Sequence, residues 1–245
     1  MQAVGEMRDN FYDPQRGMVA YQDLKESAAY RAYRELAAGL DQLDPASLTG
    51  PAARRAFWIN LYNSLVVHGI VELEIAASVR EVAGFFRVIS YRIGGRDFTP
   101  DAVEHGVLRG NRRPPYRLWP EFRPGDPRRA LALPRLDPRL HFALVCGSRS
   151  CAPIKFYTAQ GLDAELETAA RNFVNSSEVV VLPERNKIML SRIFQWYGRD
   201  FGGWPEIAKF LLRHLDPGPP AGYLAGHADT IRVEFLPYDW NLNRR

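Results

Sequence analysis

The sequence predicts an α+β domain in which a buried central helix packs on a mainly antiparallel sheet. Three observations lead there. Helical and strand-like stretches interleave without the regular strand–helix–strand repeat of a parallel sheet. The strand-like stretches come as close pairs around turn residues, which favours hairpins. One stretch, Pro51 to Ala77, is helical in pattern and apolar in almost every direction, as a helix enclosed on all sides must be.

Residues 1–48 read as a helical lead-in and residues 49–245 as the main domain. In the lead-in, "YQDLKESAAYRAYRELAAGLDQLD" sets Tyr30, Tyr33, Leu36, Ala37 and Leu40 at helical spacing, and Asp44, Pro45 and Ser47 break it. Pro51 suits the first turn of the apolar helix. "FFRVISYRIGGRDFTP" predicts a hairpin around Gly94-Gly95. "TPDAVEHGVLRG" predicts a short helix with Thr99 as N-cap, Pro100 at the first position and Gly110 past the end. Residues 111–138 are rich in Pro and Arg and read as a long irregular surface excursion. "RLHFALVC" predicts a buried strand between Pro138 and Gly147. "TAQGLDAELETAARNFVN" predicts an amphipathic helix with Leu162, Leu166, Ala169 and Phe173 on one face. "EVVVLPERNKIMLS" reads as a hairpin, "RIFQWYGRDFG" and "PEIAKFLLRHL" as short helices, and "DTIRVEFLPYDWNLN" as a final strand with an anchored polar tail around Asp239.

Composition narrows the function classes. The 245 residues are 46% hydrophobic and 24% charged, ordinary for a globular chain. The net charge of +4 is too mild and too dispersed to favour nucleic acid. The densest basic run, "RGNRRPPYR" from Arg109 to Arg117, reads as a Pro-rich exposed loop, with an anion-contacting patch as the sharper reading. The first residues lack the charged-then-apolar pattern of a secretory leader, and no run nears the roughly 18 apolar residues of a membrane span. A cytoplasmic protein is therefore expected. Two cysteines are not a disulfide framework. The chain contains no G-x-G-x-x-G, Walker loop, G-x-S-x-G elbow or H-E-x-x-H, which argues against kinases, P-loop NTPases and ordinary serine hydrolases.

Candidate chemistry starts on the apolar helix, which carries Asn60, Asn63, Ser64 and His68. Asn60, Ser64 and His68 recur every four residues and form one stripe; Asn63 points elsewhere. A buried amide without a partner costs about 1–3 kcal/mol, so something must meet these groups. Either they tie down neighbouring backbone, with His68 a satisfied core histidine, or they line a cleft in which His68 or Asn63 orients a reacting group.

Both cysteines lie in "HFALVCGSRSCAPI". Strand alternation would put His141, Ala143 and Val145 on one face and Phe142, Leu144 and Cys146 on the other, separating His141 from Cys146. A base for Cys146 would then come from elsewhere, with His68 or His105 as candidates. A turn can carry Cys151 back toward either face, including that of His141. Arg149 favours a thiolate nearby, and the Gly147–Ser150 amides can form an anion nest. Structural thiols, cysteine chemistry, a redox pair and a metal site all remain open at this point, with zinc disfavoured by the cysteine spacing. In "DAVEHGVLR", Glu104 and His105 would diverge by ~100° on an α-helix, so Glu104 is expected to pair with His68, and Arg109 with a carboxylate or an anionic ligand.

Together, "AFWINLYNSLVVHGIV", "RIGGRDFTPDAVEHGVLR", "PRLHFALVCGSRSCAPIKFYTA", "SRIFQWYGRDFG" and "YDWNLN" resemble, in order and over roughly residues 55–243, the domain-of-unknown-function 547 proteins of bacteria and plants. The resemblance picks out Asn60, Asn63, His68, Glu104, His105, Arg109, His141, Cys146 and Cys151 as lying within its motifs and assigns none of them a role.

The expected function is a cysteine-dependent hydrolase or acyltransferase acting on an amide or thioester of a small molecule or peptide. Cys146 or Cys151 is the nucleophile, His68, His105 or His141 the base, and Glu104 or Asn63 its orienter. Asn60, Arg109, Ser148 and Arg149 are expected to contact substrate, and turn amides to hold the oxyanion. No metal and no cofactor is expected. The alternative is a non-catalytic binding or scaffold module whose polar residues serve the fold.

Overall fold

The computed structural model describes residue 6, residues 10–13 and residues 16–245. Most of the stretch read as lacking a leader lies outside them. The architecture is α+β, and the chain divides into two compact units. One comprises Met1–Asp137, Ala143–Leu162 and Trp240–Arg245; the other comprises Pro138–Phe142 and Asp163–Asp239.

The first unit begins with a short antiparallel ribbon, β1 (Tyr12–Asp13) and β2 (Met18–Val19). Helices α1 (Tyr21–Glu26) and α2 (Ala28–Ala38) follow, separated by Ser27, whose hydroxyl accepts the Tyr30 N–H at 3.0 Å and caps α2. The apolar helix is α3 (Pro51–Glu72), with Pro51 in its first turn as the sequence predicts. It buries Trp58, Ile59, Leu65, Val66 and Ile70 almost completely and packs against α1 and the helix at residues 102–108.

α3 ends before the predicted Ala77. The Glu81 carboxylate accepts the N–H groups of Ala76, Ala77 and Ser78 at 3.0, 2.6 and 3.0 Å, which gives those amides a partner outside any helix. The predicted hairpin is also shorter. "FFRV" forms one helical turn, α4 (Phe85–Val88), and pairing is confined to β3 (Tyr91–Ile93) and β4 (Arg96–Phe98). Gly94 and Gly95 both have positive φ, 52° and 74°, as a two-residue turn of this hand requires.

The Thr99-capped helix forms where predicted, with Thr99 Oγ1 accepting the Ala102 N–H at 3.1 Å. Its body, Ala102–Leu108, is π-wound, and the Arg109 N–H reaches back five residues to the Glu104 carbonyl at 2.8 Å. Such wider turns are uncommon and recur at functional sites.

The second unit holds α5 (Leu162–Val174), a three-stranded sheet and four short helices, α6 (Arg192–Trp196), α7 (Gly198–Phe201), α8 (Trp204–His214) and α9 (Pro219–His227). β5 (Val179–Leu182) and β6 (Lys187–Leu190) form the expected antiparallel hairpin. The final strand, β7 (Arg232–Phe235), joins β6 in parallel, so antiparallel pairing is predominant rather than universal. Phe142, Phe173, Phe194, Phe201 and Phe210 form one aromatic cluster, with ring centroids 4.6–6.5 Å apart.

One predicted element is absent. Residues 139–146 do not form a strand. Pro138–Phe142 makes a single tight 3-10 turn, and the residues after it, up to Cys146, join no sheet.

Candidate thiol site

The missing strand is explained by the helix beside it. A buried extended chain must satisfy its N–H and C=O groups. Here α3 supplies the partners. Asn63 Oδ1 accepts the Val145 N–H at 3.0 Å, and Asn63 Nδ2 donates to the Ala143 carbonyl at 3.0 Å. One turn earlier, Asn60 Oδ1 accepts the Tyr157 N–H at 2.9 Å, and its Nδ2 donates to the Tyr157 carbonyl at 2.7 Å. These two amides clamp both limbs of the cysteine-bearing segment as a neighbouring strand would. The expectation that Asn63 orients a base and that Asn60 contacts substrate gives way to this use, because both amides are committed to backbone.

The rest of the stripe meets tyrosines. Ser64 lies beside the Tyr33 phenol. His68 Nδ1 lies 2.7 Å from the Tyr91 hydroxyl, and its ring sits 5.5–5.7 Å from those of Tyr30, Tyr33 and Tyr91. Tyr33 and Tyr91 also share a short hydroxyl contact. The carboxylate near His68 Nε2 is Glu72, at 3.6 Å, and not the predicted Glu104. Burial, more than any charge, pulls His68 below the usual histidine range; Glu72 opposes that and Arg34 reinforces it.

The cysteine turn is built within the first unit. Gly147 has φ of 77°, and a Cβ there would lie 2.5 Å from Ile70 Cδ1, so glycine is required both by conformation and by closeness to α3. The C-terminal segment crosses the turn. Asn243 N–H donates to the Gly147 carbonyl at 2.9 Å, and Arg149 N–H donates to the Asn241 carbonyl at 2.9 Å. Leu242 N–H donates to Ala77 at 2.6 Å. The tail is thus anchored, as its aromatic and amide content predicts. The Arg149 amide, expected in an anion nest, is taken by this tail, while the Arg149 side chain is exposed.

Both cysteines are half-buried, and neither is in a disulfide. The Cys146 N–H donates to Cys151 Sγ at 3.0 Å, and Cys151 Sγ lies 3.5 Å from the Leu144 carbonyl. Cys146 Sγ and Ser148 Oγ are 3.0 Å apart. Tyr21 faces the pair. Its phenol is pushed far above the usual tyrosine range, first by burial and then by the two thiols, and it donates to Asn243 Oδ1 at 2.8 Å. The Cys146 N–H is thus aimed at the Cys151 sulfur, while the Tyr21 hydroxyl is spent on Asn243.

Glu104, His105 and Arg109 do come together, through the π-helix. His105 Nδ1 lies 2.8 Å from Arg109 Nη1 and 3.6 Å from Glu104 Oε1. The predicted divergence of Glu104 and His105 assumed α-helical winding, which this segment lacks. His105 Nε2 lies 3.2 Å from the Tyr116 hydroxyl, which donates to Asp101 Oδ1 at 2.6 Å. An Arg donor requires a bare Nδ1, so the Nε2–H donates toward Tyr116. Asp101 is pushed up to about 6 by burial, against the pull of Tyr116 and Arg117.

In the second unit, His141 Nε2 lies 3.1 Å from Asp200 Oδ2, with both side chains almost fully buried, and the imidazole stacks on Tyr197 at 4.0 Å. Sequence reasoning missed Asp200, Tyr21, Asp101 and Tyr116. The first two lie 59 and over 120 residues from their partners, beyond any local spacing signal. Among the described residues, no group of three or more His, Cys, Asp or Glu side chains is placed to hold a metal ion.

A family model described as a protein of unknown function, DUF547, matches residues 45–174, a span that contains α3, the π-helix and the cysteine turn. The motifs "SRIFQWYGRDFG" and "YDWNLN" lie beyond that match. No curated protein and no solved structure matches the chain. More than half of the 245 residues fall within the matched span, and the chain belongs to the DUF547 family.

Proposed function

We propose that this protein is a cysteine-dependent hydrolase or acyltransferase acting on an amide or thioester of a small molecule or peptide, with the Cys146–Cys151 turn as its reactive element. The observation that carries the reading is the 3.0 Å donation from the Cys146 N–H to Cys151 Sγ. That donor solvates a thiolate, so Cys151 is assigned the nucleophile and Cys146 a supporting position beside Ser148. Sulfur attacks the carbonyl carbon, the leaving amine or thiol takes a proton, and water or a second nucleophile then releases the acyl group. Two cysteines outside any disulfide fit a reducing compartment, and a cytoplasmic location is part of this proposal.

A second reading has its own support. The amides of Asn60 and Asn63 serve the chain's own backbone, as expected of a binding or scaffold module with no chemistry.

Iodoacetamide labelling against pH separates the two. The enzyme reading expects Cys151 to label well below pH ~8, Cys151→Ser to abolish that reaction, and the same variant to abolish turnover of a small thioester. Gln replacements of His68, His105 and His141, one at a time, identify the base as the position whose loss removes labelling at neutral pH. Two thiols that react only as ordinary cysteines, with no thioester turnover, would leave the scaffold reading.

A further inference from the structure

The run "RGNRRPPYRLWPEFR" plays no part in the thiol chemistry, yet its residues are unusually arranged. The ends of the loop are stitched together. Asn111 Nδ2 donates to the Phe122 carbonyl at 2.9 Å, and Asn111 Oδ1 accepts the Phe122 N–H at 2.8 Å. Phe122 is fully buried against Gly106 of the π-helix, where a Cβ would meet its ring at 2.3 Å. Arg128 stacks over the same ring at 4.7 Å from its centroid. The middle of the loop is anchored as well. The Tyr116 hydroxyl donates to buried Asp101, and Arg117 pairs with Asp101 and Glu121. Pro114, Pro115 and Pro120 restrict what remains.

A loop held this firmly could turn its apolar residues inward. It does the opposite at its tip, where Leu118 is 75% and Trp119 69% exposed. A single exposed leucine is ordinary. An adjacent Leu–Trp pair displayed on an anchored loop is an apolar surface that nothing among the described residues covers. In the same segment Arg113 and Arg123 are exposed, while the one carboxylate, Glu121, is half-buried against Arg117. The tip is therefore apolar and its rim carries one sign of charge.

We propose that this loop docks the protein on an anionic membrane surface. Trp119 and Leu118 enter the boundary between headgroups and acyl chains, where indole rings favour partition. Arg113 and Arg123 lie against anionic headgroups. The attachment is peripheral; among the described residues no helix is long and apolar enough to cross a membrane. Charge complementarity selects the lipid surface over a protein groove, because a groove that took the Leu–Trp pair would not call for an all-arginine rim. The proposal is independent of the thiol chemistry.

Flotation of the full chain with phosphatidylcholine vesicles, with and without about a third phosphatidylglycerol, tests it. Binding is expected only to the anionic vesicles and falls at high salt. Leu118→Ser with Trp119→Ser lowers it by about tenfold or more, and so does Arg113→Glu with Arg123→Glu. Both side-chain pairs are exposed, so unfolding midpoints should not move. Brominated acyl chains quench tryptophan fluorescence in the wild type, and Trp119→Phe removes the quenching. Failure of the wild type to float with anionic vesicles overturns the proposal and leaves a protein partner for the Leu–Trp pair. Flotation unaffected by either double variant overturns it too, since the contact would then lie elsewhere.

Discussion

Asn63 accepts the Val145 backbone N–H at 3.0 Å through the same side chain that donates to Ala143, so a helix amide takes the place of a neighbouring strand. Removing it leaves a buried N–H and a buried C=O without that partner, at about 1–3 kcal/mol each. Asn63→Ala is therefore expected to lower stability by roughly 3 kcal/mol. Asn60→Ala, at a half-buried position, should cost about 1–2 kcal/mol. Urea unfolding followed by circular dichroism measures both. An unchanged midpoint for Asn63→Ala would mean that the clamp contributes nothing.

Gly147 links that clamp to the thiols. Alanine at φ of 77° is strained by about 1–2 kcal/mol, and its methyl would press on Ile70 Cδ1. Gly147→Ala should destabilise by about 2 kcal/mol or more and also change the iodoacetamide labelling rate of Cys151, because the turn must shift. Destabilisation with an unaltered labelling rate would show that the strain is absorbed in α3 and not in the turn.

His141 and Asp200 form a buried pair that neither residue's sequence neighbourhood announces. Breaking such a pair by removing one partner typically costs about 3–5 kcal/mol. Asp200→Asn and His141→Gln are each expected to destabilise, and the double variant to cost less than the sum, with a coupling of about 1 kcal/mol or more. Full additivity in this cycle would show the 3.1 Å contact to be energetically idle.

Elements that encode their own ends were legible in the sequence. Pro51, Thr99 and the Gly94-Gly95 turn announced their places through local chemistry. The apolar all-round pattern of α3 correctly announced enclosure, and its amides correctly demanded partners. Three things could not be read. The segment at residues 139–146 has the composition of a strand, but its hydrogen bonds go to side chains 80 residues earlier. The π-winding of Ala102–Leu108 has no periodicity that separates it from an α-helix over seven residues. Tyr21 and Asn243, which meet beside the cysteine turn, come from opposite ends of the chain.

Asp101 gives a pH signature with a definite sign. Its carboxyl is raised from 3.8 to about 6, first by burial, with Glu121 adding to the rise and Tyr116, Arg117 and Arg87 opposing it. Between those values the folded chain retains a proton that the unfolded chain has released. The contribution of this group to stability is thus fully present below pH ~4 and is lost as pH rises through about 6. A two-unit shift corresponds to about 3 kcal/mol. Asp101→Asn keeps an oxygen for the Tyr116 hydroxyl and removes the titration. The variant should gain on the wild type by up to about 3 kcal/mol between pH 4 and pH 7.5, read from urea midpoints at the two values. His68 acts in the opposite direction: burial lowers it, so its contribution is present above pH ~6.5 and lost on acidification. His68→Gln should therefore flatten the acid side of the stability profile and leave the Asp101 difference intact. A constant gap between Asp101→Asn and the wild type across this range would show that the Asp101 carboxylate is as well solvated inside the π-helix cluster as in the unfolded chain.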